Sequence, residues 1–131
     1  MATRQQIRAA IKALVEPQFT TTFDYRPAQI YEEDLPSCSI YFEDGDTERD
    51  FDQEGVTVGR LVIEVLVRAS GNIDSALDEK GALVESQIKQ SNLLNNIVEY
   101  ISRTGFAYDR DPESNSGALS QIFTVHYPDE D

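Results

Sequence analysis

Tryptophan is absent from this 131-residue chain, and cysteine, histidine and methionine occur once each. One cysteine excludes both an internal disulfide framework and a thiolate metal cluster. Cys38 lies in Ser37-Cys38-Ser39-Ile40-Tyr41-Phe42, where alternation sets it beside Ile40 and Phe42, so a buried structural thiol is expected. A catalytic thiol would need a base, and the one histidine is His126. Cations are scarce as well. Eleven Lys and Arg against 24 Asp and Glu give a formal net charge of −13. That balance argues against sequence-independent nucleic-acid binding, which needs clustered cations to neutralise phosphates. It leaves acidic solvation, DNA mimicry or a cationic protein partner. No apolar run approaches the ~18 residues of a membrane span. The opening Met-Ala-Thr-Arg-Gln-Gln-Ile has no apolar signal core. The chain is therefore expected to start here, to remain in the cytoplasm of the cell that makes it, and to fold as one domain over 1–131.

Catalytic signatures are missing too. There is no nucleophile elbow to serve His126, which shares a strand face with Thr124 and Ser120. Gly55 and Gly59 begin neither a Walker nor a dinucleotide pattern. No catalytic residue, metal ligand or cofactor is assigned, and an enzyme is not expected.

What the chain does have is patterning. Thr3 with Gln6 fits a capping box, and Ile7, Ala10, Ile11, Leu14 and Val15 trace one helical face up to Pro17. Arg4, Arg8 and Lys12 recur every four residues, either as a solvated face or as a docking strip for an acidic neighbour. Phe19 to Tyr25 and Ser37 to Phe42 read as strands. Val56 to Arg68 is the strongest strand. It has Leu61, Ile63, Val65 and Val67 on a core face, and Arg60, Val62, Glu64, Leu66 and Arg68 on a mixed one. A second helix is expected from an Asp74 or Ser75 cap, with Leu77, Gly81, Val84 and Ile88 inward. A third is expected from Asn92, with Leu94, Ile97, Val98 and Ile101 inward and Gly105 at its stop. Phe106 to Arg110 and Leu119 to Tyr127 then form a hairpin. The sum is an α+β fold: a mostly antiparallel sheet of about four to five strands, with an N-terminal helix and two further helices packed on one face.

The stretch EDGDTERDFDQEG, Glu43 to Gly55, is acidic at every even position: Asp44, Asp46, Glu48, Asp50, Asp52 and Glu54. A calcium loop starting at Asp44 would place Arg49 where glycine is required, and one starting at Asp46 would place Phe51 there. In an extended chain, alternate carboxylates lie about 7 Å apart. They repel by roughly 0.6 kcal/mol per step even in water. A mobile segment over about 43–56 is therefore expected, extended only where a partner supplies positive charge. Phe51 on the other face offers that partner an aromatic anchor. The acidic end, 128–131, is expected to fray.

Phe23-Asp24-Tyr25-Arg26-Pro27-Ala28-Gln29-Ile30-Tyr31-Glu32-Glu33-Asp34-Leu35-Pro36 resembles a hallmark segment of the tail terminator proteins of long-tailed bacteriophages, the minor tail protein U of lambda-like phages and its relatives. The resemblance extends to Ile7-Arg8-Ala9-Ala10, to Leu61-Val62-Ile63-Glu64-Val65 and to Gly105-Phe106-Ala107-Tyr108-Asp109-Arg110-Asp111. Tyr25 departs from the pattern, standing where the lambda-like sequences carry glycine. The resemblance implies a non-enzymatic protein of a phage or prophage. It would cap the completed tail tube as a ring, expected to be hexameric, and so end tube polymerisation and form the head-attachment surface. Implied partners are further copies of itself, the major tail tube protein, and a head–tail connector or head-completion protein. DNA would pass through without specific binding, and no membrane is involved. The implied location is the head-proximal end of the virion tail, after assembly in the host cytoplasm. In that setting Asp44, Asp46, Glu48, Asp50, Phe51 and Asp52 become candidate contacts to a neighbouring subunit or the tube. Arg4, Arg8, Lys12, Arg26 and Arg110 are the cations to meet them. The competing reading is a monomeric acidic module, such as a DNA-mimic inhibitor of a cationic partner.

Overall fold

The computed structural model of the chain describes residues 3–48, 55–68, 71–111 and 116–128. Helix α1, Arg4–Val15, starts with the expected capping box. Gln6 N–H donates to Thr3 Oγ1 at 3.1 Å, and Thr3 N–H donates to Gln6 Oε1 at 2.8 Å. Its stripe of Ile7, Ile11 and Val15 is fully buried. A 3-10 turn containing Pro17 follows, and only Thr21–Phe23 then forms strand β1. The expected strand over Phe19 to Tyr25 is thus shortened: Phe19 is drawn into the core directly after the turn.

Strands β2 (Ser37–Glu48) and β3 (Val56–Arg68) are long and antiparallel. Helix α2, Ile73–Gln90, is capped by Asn72, whose side chain accepts from Ser75 N–H at 3.2 Å. The cap is therefore two or three residues earlier than the sequence suggested. Strands β4 (Tyr100–Asp111) and β5 (Ser116–Pro128) complete a five-stranded sheet in the order β1-β2-β3-β5-β4. Only the β1–β2 pair is parallel. The expected α+β architecture is present.

The core lies between the helices and one face of the sheet. Leu61, Ile63 and Val65 of β3 and Phe123, Val125 and Tyr127 of β5 meet Ile7, Ile11 and Val15 of α1 and Leu77, Val84 and Ile88 of α2. Full burial of each such side chain contributes about 1.5–3 kcal/mol. On the other face, Val58, Arg60, Glu64 and Leu66 alternate outward, opposite His126, Thr124, Ser120 and Ala118. None of these eight is fully buried, whereas Val62 of the same face and Ser37 and Ser39 beside it on β2 are buried, so this face is open only in part.

The expected third helix is corrected. Helical geometry is confined to a short element, α3, at Asn92–Asn96, and it is left-handed. All five residues have φ between 53° and 67°. Hydrogen bonds from Asn95 N–H to Ser91 O (2.9 Å) and from Ile97 N–H to Leu93 O (3.1 Å) close the turn. It buries Leu94 and Val98 without a continuing helix. Ile101 belongs to β4 instead, opposite Val125, and Gly105 sits at a bulge in that strand. Pairing with β5 supplies the backbone partners that a helix from Asn92 to Gly105 would have supplied itself.

The acidic stretch also differs from expectation over its first half. Glu43–Glu48 are part of β2, with Asp44 opposite Arg60 and Glu48 opposite Val56. The ladder satisfies the backbone, and Arg60 offsets the nearest carboxylates. Gly45 allows the close approach, since a Cβ there would lie 2.9 Å from Val58 O. Of the other residues expected to be mobile, 49–54 lie outside the described ones and Val56 begins β3. Of the expected frayed end, 128–131, Pro128 is the last residue of β5 and 129–131 lie outside the described residues.

Candidate interaction surfaces

Within one chain, the expected cations and anions lie on several surfaces. Arg60, which sequence reading placed only on a mixed strand face, lies 3.6 Å from Glu43 and 3.7 Å from Asp44. Arg4 lines a cavity of about 260 Å³ together with Phe42, Glu43, Asp44 and Tyr127, so it does share a surface with the start of the acidic stretch. Asp46 is exposed on the same strand face as Asp44, opposite Val58. Glu48 ends β2, and Asp50, Phe51 and Asp52 lie outside the described residues.

Arg8 and Lys12 are half-buried on α1, and the Arg8 Nε is buried without a hydrogen-bond partner. Arg26 stacks over the Tyr41 ring at 5.0 Å. Arg110 pairs with Asp74 of α2 at 3.3 Å. Within one chain, Arg26 and Arg110 are thus turned to partners other than the acidic stretch.

Chemistry-bearing side chains are placed structurally. Cys38 is fully buried, and burial, reinforced by Glu64, pushes its thiol up to about 12. The His126 ring packs edge-on against Tyr100, with centroids 5.0 Å apart. Among the described residues, no group of three or more His, Cys, Asp or Glu could hold a metal ion. None of their helices is long and apolar enough to cross a membrane.

A second surface was not anticipated. The helix layer stops at α2, so the helix-side residues of β4 are only partly covered. Between α2 and β4 lies a cavity of about 270 Å³ with Leu119 and Gln121 in its lining. Gln121 is fully buried, yet among the described residues neither its Nε2 nor its Oε1 has a hydrogen-bond partner. Leaving such an amide unsatisfied costs about 1–3 kcal/mol. Gly81 makes room for it: a Cβ there would lie 2.2 Å from Gln121 Nε2.

Three contacts link the two sides of this groove. They are Asp74 with Arg110, Tyr108 O–H donating to Asp78, and Arg103 with Glu85 at 3.4 Å. Exposed pairs of this kind stabilise by only about 0–1 kcal/mol each. The sequence did hold a signal for the site. Position 121 has the core parity of Leu119, Phe123 and Val125, and a glutamine in that series opposite a mid-helix glycine marks a close approach.

Comparison with known proteins gives the context for these surfaces. No curated protein matches the chain. A chain from the virion of a native gene transfer agent particle superposes with a TM-score of 0.46 at 12% identity, covering 92% of this chain and 86% of its own length. That likeness is too loose to carry weight. The sequence model of the family described as phage minor tail protein U, however, matches residues 2–127. The match takes in α1, α2 and α3, strands β1 to β4, β5 up to Tyr127 and both surfaces, so the chain belongs to the phage minor tail protein U family and has a structural role in a phage tail.

Proposed function

We propose that the chain caps the completed tail tube as a hexameric ring, ends tube polymerisation and presents the surface to which the head attaches. The observation that carries this reading is the family match over residues 2–127. Two structural features support it. Among the described residues the long helices cover one face of the sheet, and on the other the β3–β5 stretch around Val58, Arg60 and Thr124 is left for a neighbour or a lumen. The net charge of −13 would keep a wall that faces DNA from binding it, letting the duplex slide. In this reading the partners are further copies of the chain, the major tail tube protein and a head-completion protein, and the protein acts at the head-proximal end of the virion tail rather than as an enzyme.

The acidic stretch is the proposed contact to a neighbour. Charge reversal at Asp50 and Asp52 together should weaken ring formation, and rings of unchanged concentration and salt dependence would remove that contact from the interface. The function itself is tested by adding the protein to an extract of tail-terminator-defective phage and counting infectious particles. Light scattering over a concentration series, with negative-stain images, reads the oligomer. A stable monomer that competes with DNA for a basic protein would favour the DNA-mimic alternative.

A further inference from the structure

β4 is the last strand of the sheet, so over Tyr100–Asp111 its outer edge has no strand partner among the described residues. Unpaired edges of this length are templates for another extended chain. On the helix side of that edge, Phe106 is 60% exposed and Tyr108 46% exposed. Beside them opens the α2–β4 cavity of about 270 Å³, with the orphaned amide of Gln121 in its lining.

We propose that this groove is the docking slot for an extended, cationic segment of a second tail protein, which pairs with the outer edge of β4 and lays an arginine or lysine side chain between Asp78 and Glu85. Charge selects the occupant. Asp74, Asp78 and Glu85 outnumber Arg103 and Arg110 on the rim, and Glu85 already holds a guanidinium at 3.4 Å. The incoming cation meets two aromatic rings whose faces attract it. An arginine side chain laid into the cavity brings donors for the Gln121 Oε1, which lacks one. Two of the three rim contacts, Asp74–Arg110 and Tyr108–Asp78, are solvent-exposed and the third, Arg103–Glu85, is half-buried, so opening costs little and gives the buried amide a partner. A second copy of this chain is the poorer occupant, because it brings a net charge of −13 to an acidic rim. Only the origin of the segment in a tail protein rests on the function proposed above.

The test titrates the isotope-labelled full-length protein, by NMR, with a capped heptapeptide of alternating threonine and valine carrying one central arginine. A second peptide has glutamate at the centre. The arginine peptide should shift backbone signals of β4 and of the α2 turn around Asp78 to Glu85. Binding should be at least about tenfold weaker for the glutamate peptide and for the Asp78→Asn/Glu85→Gln double variant. Gln121→Met, which removes the orphaned amide at similar volume, should stay folded with an undiminished melting temperature and bind more weakly. Equal binding of both peptides, shifts confined to other strands, or undiminished binding by the double variant would overturn the proposal. So would concentration-dependent loss of the β4 signals without peptide, which would make a second copy the occupant. Arginine-peptide binding by a parent protein that forms no rings would uphold the slot while removing the ring.

Discussion

The two faces of one sheet follow different rules in this protein. On the helix side, β3 presents Leu61, Ile63 and Val65 with no exposed area. One residue along the chain, the same strand presents Arg60 and Glu64 to the open side, opposite Thr124 and Ser120. The backbone ladder is shared, so the difference lies in what covers each face. The covered face holds the monomer together, and the open face and the free β4 edge are what remains for assembly. Neighbouring substitutions should separate stability from association.

The largest expected effect is on the covered face. Ile63→Ala should cost about 2–5 kcal/mol, through lost transfer energy and a cavity. Arg60→Ala, three residues away on the open face, should cost under about 0.5 kcal/mol, because its pairs with Glu43 and Asp44 are exposed. Urea denaturation measures both. A comparable loss for Arg60→Ala would mean that the open face also stabilises the monomer, and the contrast would break.

Gly81→Ala probes how tightly the cover is pressed onto the sheet. Alanine is favoured over glycine in a helix by about 1 kcal/mol. At this position, however, a Cβ would lie 2.2 Å from Gln121 Nε2 and 2.8 Å from Leu119 Cδ2. Overpacking should win, for a net loss of about 1–3 kcal/mol. Adding Gln121→Ala should recover part of that loss. Stabilisation by Gly81→Ala alone would show that α2 sits further from β5 than the structure places it.

These contrasts also explain what could be read from the sequence. Period two in β3 and the 3.6-residue period in α1 each allow one solution, and both elements were legible to within a residue or two. Leu94, Ile97, Val98 and Ile101 fit a helix by spacing, but the same four residues also fit a turn followed by a strand, and local pattern could not choose. The choice was made by β5, through a non-local pairing in which Ile101 faces Val125. The acidic stretch was misread over Glu43–Glu48 for a related reason. Repulsion between carboxylates is visible in sequence, whereas Arg60, 16 residues from Asp44, becomes its neighbour only in the fold. The α2–β4 groove had only the Gly81 and Gln121 signal, which needs strand parity and helix phase to be right together.

The left-handed turn offers a smaller test of the same non-local influence. Left-handed backbone costs an ordinary L-residue about 1–2 kcal/mol, with asparagine among the exceptions. Asn96 is exposed at φ 67°. Asn96→Ala should therefore lose about 1 kcal/mol, whereas Asn96→Gly should be neutral or slightly stabilising. Equal losses for both, by thermal melting, would mean that the Asn96 side chain rather than its backbone conformation matters.

The smallest effect contrasts two titrating groups raised for different reasons. The Cys38 thiol is pushed up to about 12 first by burial under the covered face. The Tyr108 phenol, at the exposed edge, is raised first by donating its proton to Asp78, a bond available only to the neutral form. Each shift favours the protonated state in the fold. The stabilisation is therefore complete below the group's ordinary pKa and fades as pH rises through the raised one. The tyrosine shift should depend first on one partner, Asp78, with burial and Asp74 adding to it. In Asp78→Asn, the titration of the Tyr108 ring followed by NMR should move to lower pH, while Cys38 should stay unreactive toward thiol reagents until the protein unfolds. An unmoved Tyr108 midpoint would mean that Asp78 does not hold the phenol. The α2–β4 rim would then be fastened by its two ion pairs, Asp74–Arg110 and Glu85–Arg103, alone.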